Sequence, residues 1–209
     1  VTTIWEFDLS TRKWNKLPLK DPQSTTIITK RKNSIATISE STNTLYIYGG
    51  TDENNKFLTD LHSVDLLTGE MNLVTDGTIT EPQYTQFNNN TISNTPPQPR
   101  KGQIIQFFNN RIYIWGGQSP DKSISNDLSV YDIPSNTWAT LSSENSIAGR
   151  HHIPYQLVNN HIYAYGASST KLLIDIELNE PEDKNAFEAI KLVNIREIPC
   201  QGAAPPENL

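Results

Sequence analysis

Four histidines, one cysteine and a set of recurring aspartates are the side chains whose types could do chemistry. His151 and His152 are adjacent, and two imidazoles within reach of one ion would suggest a metal centre. Neighbours on an extended strand point to opposite faces, so this pair is not expected to chelate one ion. His62 stands alone and His161 opens a strand at a turn, so both read as structural or solvated. Asp52-Glu53 lies in a loop, while Asp60, Asp65, Asp127 and Asp132 recur at matched spacing. Aspartates repeated in that way are turn formers rather than an acid–base pair. There is no Gly-rich phosphate loop, no Gly-x-Ser-x-Gly elbow and no Cys-x-x-Cys. The expectation is a chain with no catalytic residue, no metal and no cofactor.

Charge narrows the partners. The 209 residues carry 17 Lys and Arg against 23 Asp and Glu, a net of −6. Lys30-Arg31-Lys32 is the one basic cluster and reads as a solvated loop. A nucleic-acid surface needs a basic stripe that releases counterions, so none is expected. No run of 18 apolar residues occurs, so no membrane span is expected. Val1 to Leu9 reads as a strand rather than a signal peptide. Cys200, alone in a Pro-rich tail, cannot staple the fold, which suits a reducing setting in the cytoplasm or nucleus. The triplet Asn89-Asn90-Thr91 has the glycosylation pattern, but an Asn-rich tract generates such triplets by composition.

The elements that position these residues repeat. Leu45–Gly50, Ile112–Gly117 and Ile162–Ala167 each alternate aliphatic and aromatic residues and then stop at glycine. Large side chains on both faces predict strands buried on two sides. Each follows a turn signal, Ser41-Thr42-Asn43, Asn109-Asn110 or Asn159-Asn160. Upstream of these lie further strand-like runs, Ile35–Ser39, Ile104–Phe108 and Ile153–Val158, so each pair predicts a hairpin. A second shape is a strand, an Asp-led turn and an aromatic opening the next strand. Val130–Trp138 carries it with Asp132, Val64–Met71 with Asp65, and Glu6–Trp14 with Asp8. The unit is therefore four strands.

Spacing supports the unit. Gly49 to Gly116 is 67 residues, as is Asp65 to Asp132, whereas Gly116 to Gly166 is 50 and Asp132 to Asp175 is 43. Residues 76–99, rich in Asn, Thr, Gln and Pro, account for the long interval as an insertion. Their composition predicts a low-complexity, mobile loop.

A four-stranded unit of this period, with a double glycine and a Tyr-Asp…Trp passage, resembles the kelch repeat. The fullest copy runs from Arg100 to Leu141, with Gly116-Gly117, Asn126-Asp127-Leu128, Tyr131-Asp132 and Trp138. The resemblance implies an all-β, kelch-type β-propeller in which each unit is one blade. Its double glycines (Gly49, Gly50, Gly116, Gly117 and the lone Gly166) let backbones approach. Trp14 and Trp138 would wedge between blades. Met71 and Ala167 depart from the pattern, and the last copy lacks the Trp. There Ala186–Val193, after the loop Asn179–Asn185, is expected as strand four, in preference to a short helix.

The divisions expected are strands three and four of a first blade (1–17), blades at 33–75, 100–142 and 150–193, the inserted loop at 76–99, and a lead-in or tail at 194–209. Three and a half blades do not close a ring. The chain is therefore expected to be part of a longer protein or to complete its ring with another chain.

The resemblance also implies function: a scaffold or adaptor that presents loops to protein partners, in cell polarity, in signalling or as a ubiquitin-ligase substrate receptor. The family's contact positions, at the start of strand one and after the double glycine, map to Asn33, Lys101 and His151, and to Thr51 and Gln118. Phe57 adds an exposed aromatic near them. Arg100 and Arg150 fill the lead-in arginine place, where a structural pairing between blades is expected at least as strongly. The competing expectations are an isomerase, lyase or copper oxidase on the same frame, and a bracing domain. The copper oxidases need a Tyr–Cys pair with histidines, which Cys200 in the tail does not supply.

Overall fold

The protein is described by a computed structural model covering residues 4–20, 28–78, 81–143, 147–166, 172–179 and 185–201. Ala167, Glu180 to Lys184, Val1 and Pro205-Pro206 lie outside the described residues.

The architecture is a β-propeller segment. One four-stranded antiparallel sheet holds β3 (Ile35–Ser39), β4 (Thr44–Thr51), β5 (Phe57–Asp65) and β6 (Met71–Thr75) in chain order. A second is built from β9 (Ile104–Phe108), β10 (Arg111–Trp115), β11 (Leu128–Asp132) and β12 (Thr137–Ser143). A third comprises β13 (Tyr155–Val158), β14 (His161–Ala164), β15 (Leu172–Leu178) and β16 (Val193–Pro199). Before them stands a separate hairpin, β1 (Ile4–Asp8) with β2 (Lys13–Leu17).

Local chemistry explains the strands. Every residue of β10 and of β11 is buried, as their two-faced apolar pattern requires. The turn between β9 and β10 is Asn109-Asn110, both at positive φ (47° and 57°), the conformation a two-residue hairpin demands. At the β11–β12 turn, Asp132 accepts from Ser135 N (3.0 Å) and Ser135 Oγ, and Arg111 Nε pairs with it at 2.8 Å. Asp65 accepts from the amides of Thr68 (2.9 Å) and Leu67 (2.8 Å), which hold its carboxyl below the usual range.

The cores lie between blades as well as within them. Tyr46, Tyr48 and Leu61 of the first full blade pack with Ile105, Ile112, Ile114, Tyr131 and Trp138 of the second. Ile104, Tyr113, Trp115 and Val130 pack in turn with Ile162, Ala164, Ile174 and Ile176 of the third. The innermost strands touch: Phe107 N donates to Thr37 Oγ1 (2.9 Å), and Tyr155 OH donates to Ile105 O (2.8 Å). Gly116, at φ +73°, faces the third blade so closely that an added Cβ would lie 2.4 Å from Arg150 O. No side chain fits there without parting the blades.

The structure departs from expectation at several places. Residues 76–99 are not wholly a mobile loop: they contain the hairpin β7 (Tyr84–Phe87) and β8 (Asn90–Ser93). Asn88-Asn89 makes its turn at φ 47° and 61°, and β8 pairs with β12, extending the second sheet to six strands. Ile92 anchors the hairpin in the core at 0% exposure.

Ala186–Ile190 is a helix, α1, not strand four. Asn185 caps it by accepting from Glu188 N, and Ala186, Ala189 and Ile190, at helical spacing, are its buried residues. Strand four is β16, which reaches Pro199 and so takes in six residues of the segment expected as a tail, from Asn194 on. Strand register also puts Glu177, opposite His161, in the place that Asp132 holds opposite Arg111, rather than Asp175.

Among the described residues, Trp14 is not wedged between blades. It is 65% exposed and rests on Phe7, with ring centroids 5.0 Å apart. The hairpin packs its other face, through Ile4 and Leu17, on the first full blade.

Candidate partner-binding face

Each blade begins with the same three-residue lead-in, and each position has its own task. The first is a buried arginine. Arg31 donates to Gly49 O (3.1 Å) and makes two 2.8 Å bonds to the Asp60 carboxylate. Arg100 donates to Gly116 O (3.2 Å) and meets Asp127 at 3.3 Å, while Arg150 meets Glu197 at 3.1 Å. These guanidiniums are neutralised inside the fold. Arg31 thus corrects the reading of Lys30-Arg31-Lys32 as a solvated loop, since its side chain is only 4% exposed.

Burial by itself pushes the Asp60 carboxyl up. Hydrogen bonds from Arg31 and His62, with the Arg31 charge, outweigh burial and hold it well below the carboxylate range. His62 Nε2 lies 2.7 Å from Asp60, and His161 Nδ1 lies 2.8 Å from the buried Asp175, which also binds Arg196. Both histidines are therefore held in hydrogen bonds to carboxylates within the fold.

The second lead-in position is Lys32, Lys101 or His151. Lys32 forms a backbone bridge to Thr51, and Lys101 forms the same bridge to Gln118, each with two hydrogen bonds of 2.8–3.0 Å. These bridges tie the start of strand one to the residue after the double glycine. They also show Lys32, one residue before the expected Asn33, to be the equivalent of Lys101. The pattern of basic residues directly after each lead-in arginine was the signal that could have found it.

The third position, Asn33, Gly102 or His152, has positive φ in all three blades (56°, 70° and 52°). The backbone bends there before entering the innermost strand. Because of that bend, His151 and His152 do not point apart: their Nδ1 atoms are 2.8 Å apart with ring planes at 83°. The expectation from an extended strand fails for this physical reason. His152 N also donates to Gly102 O at 2.7 Å, joining the second and third blades. Burial, the His151 charge and Lys101 all lower the pKa of His152.

The expected contact residues are thus unequal. Asn33 and His152 are exposed, and Lys101, Gln118, His151 and Phe57 are half-buried. Thr51 is buried, with its hydroxyl turned to Lys32 O at 3.4 Å, and presents no side chain to solvent. A groove of about 200 Å³ runs between the lead-in and the loop after Gly50, lined by Lys30, Arg31, Lys32, Thr51, Asp52 and Glu53. Lys30 and Glu53 close across it at 3.1 Å, both well exposed. Phe57 opens β5 opposite Thr51, past a turn in which Asp52 accepts from the amides of Asn54 and Lys56 at 2.8 Å. Among the described residues, no three His, Cys, Asp or Glu side chains are grouped to hold a metal ion.

Comparison with known proteins agrees with the blades. The family profile described as the KLHDC2/KLHL20/DRC7 Kelch-repeats domain matches residues 1–206. The chain is 29% identical over 139 residues to Kelch domain-containing protein 10 of Homo sapiens and of Bos taurus, which takes in 63% of this chain and 28% of each relative. It is 31% identical over 99 residues to Acyl-CoA-binding domain-containing protein 4 of Arabidopsis thaliana, 47% of this chain and 14% of that protein. The chain thus spans a small part of the curated relatives it matches.

Proposed function

This chain belongs to the kelch-repeat family, whose propellers bind proteins, and from that premise we propose that it holds an acidic segment of a partner protein at the lead-in face. One observation carries the reading. The same position of three successive blades presents Lys32, Lys101 and His151, while the arginines beside them are already paired with Asp60, Asp127 and Glu197. The unspent positive charge of the first two lead-ins therefore sits at Lys32 and Lys101, and the third lead-in places the His151 imidazole at the same position. In a chain whose net charge is −6, such a local basic array selects by charge pattern rather than by bulk attraction. Rigid blades beneath the lead-ins hold the array in place, which lowers the ordering cost of binding. An adaptor role in the cytoplasm or nucleus, in polarity, signalling or ubiquitin-ligase recruitment, is part of this proposal.

The test is fluorescence anisotropy with a labelled Glu-rich peptide and a Gln-rich control of equal length. The Glu peptide should bind more tightly, and added salt should weaken it. Lys32→Glu with Lys101→Glu should reduce its affinity by about tenfold or more, with the unfolding midpoint unchanged. Equal binding of both peptides, or an unaffected double variant, would refute the reading.

A further inference from the structure

The His151–His152 pair is an odd occupant of a binding face. Its rings make one Nδ1···Nδ1 contact of 2.8 Å, short enough for a hydrogen bond but possible only when one nitrogen carries a proton and the other does not. The contact is built by the backbone. His152 sits at φ +52°, its amide is held by Gly102 O, and its ring lies so close over Gly102 that a Cβ there would come within 2.5 Å of it.

Protons act on this pair in sequence. With both rings neutral, one Nδ1–H donates to the bare Nδ1 of its neighbour. A proton added at the outer nitrogen of the donor ring leaves the bond in place and strengthens it. A second proton must go to the bare Nδ1. Two N–H groups then face each other at hydrogen-bond distance, and the rings must part.

The charged groups around the pair make that second step harder. Lys101 faces it from the lead-in of the second blade, and each imidazole faces the other. Arg150, next in the chain, is engaged with Glu197 at 3.1 Å. Burial, the neighbouring imidazole and Lys101 together hold His152 below the ordinary histidine range.

We propose that the His151–His152 pair is a proton-operated gate on the partner site: double protonation breaks the imidazole contact, turns both rings outward and adds positive charge beside Lys101. The proposal rests on the acidic-partner reading above. Its consequence is that an acidic segment binds more tightly as pH falls below about 6, where histidines charge and glutamates are still ionised. Lys32, on the first blade, supplies a pH-independent share.

The experiment follows the imidazole 15N shifts of the chain from pH 8 to 4.5, with Glu-peptide anisotropy at pH 7.5 and 5.5. His151 and His152 should titrate in two separated steps, with one Nδ1 protonated and one bare at the high-pH end. His151→Gln should move the His152 midpoint up towards the ordinary range. Peptide affinity should rise about threefold or more on acidification, and His151→Gln with His152→Gln should abolish that rise. Independent titration of the two rings, or an unmoved His152 midpoint in His151→Gln, overturns the gate and leaves the partner reading standing. Coupled titration with no peptide binding at either pH overturns the partner reading, and the gate's role in binding falls with it.

Discussion

Trp138 on the fourth strand of one blade meets Tyr48 on the second strand of the blade before it, edge to face, with centroids 5.9 Å apart and planes at 60°. The same indole rests on Tyr131 of its own sheet at 4.9 Å, so it joins two blades at one point. Trp14 holds the matching place on β2 yet lies 65% exposed. Replacing Trp138 by Ala should lower stability by about 3–5 kcal/mol. Trp14→Ala should cost no more than about 1.5 kcal/mol, the scale of its contact with Phe7. Urea midpoints of the two variants measure the contrast, and equal losses would contradict it.

Neighbouring basic residues should behave oppositely. Arg100 is 1% exposed and bonds Gln98 O, Gly116 O and Asp127, so Arg100→Ala strands a carboxylate and two carbonyls. The expected loss is about 3 kcal/mol. Lys101→Ala, one residue on, should change the melting midpoint hardly at all, within about 0.5 kcal/mol, while weakening acidic-peptide binding. Thermal scans alongside anisotropy separate the two roles.

The inserted hairpin should be part of the folded unit. Ile92 has no solvent exposure and β8 bonds β12, so Ile92→Ala should cost about 2–5 kcal/mol. Excising residues 83–94 with a Gly-Gly joint should lower the midpoint too, because the β12 edge loses its partner. A midpoint unchanged by the excision would return the segment to the status of a linker.

Acid should loosen the first full blade through Asp60. Its folded pKa is depressed, so its stabilising share is complete above the unfolded value of about 4 and is lost as pH falls below it. Asp60→Asn should therefore be less stable at pH 7 and show a flatter fall in stability between about pH 5 and pH 2. Urea titrations at several pH values read both slopes.

Residues with one local job were readable from sequence. Asn109-Asn110 and Asp132 announce their turns by type, and Tyr48 and Trp115 announce two-faced burial by alternation. What stayed hidden depended on partners far along the chain. Arg31 looks like its lysine neighbours until Asp60, 29 residues on, is seen to receive it. Ala186–Ile190 has apolar spacing that fits helix or strand, and the Asn185 cap decides it. The Asn-rich insertion hid a hairpin because polar strands bury little, and its apolar anchors, Ile92 and Phe87, stand singly on different strands and form no alternation. At the lead-in face Arg100 and Arg150 were legible by place. The pairing of His151 with His152 was not, because it needs a backbone bend that alternation rules would deny.

That bend implies a trade-off at one residue. Position 152 requires a left-handed backbone, which a histidine adopts at a cost of about 1–2 kcal/mol and a glycine adopts freely, as Gly102 does one blade earlier. Were thermodynamic robustness the sole criterion, glycine would suit this spot better. His152→Gly is thus expected to yield a hardier protein that no longer senses acidity, so stability and acid response pull this position towards different residues.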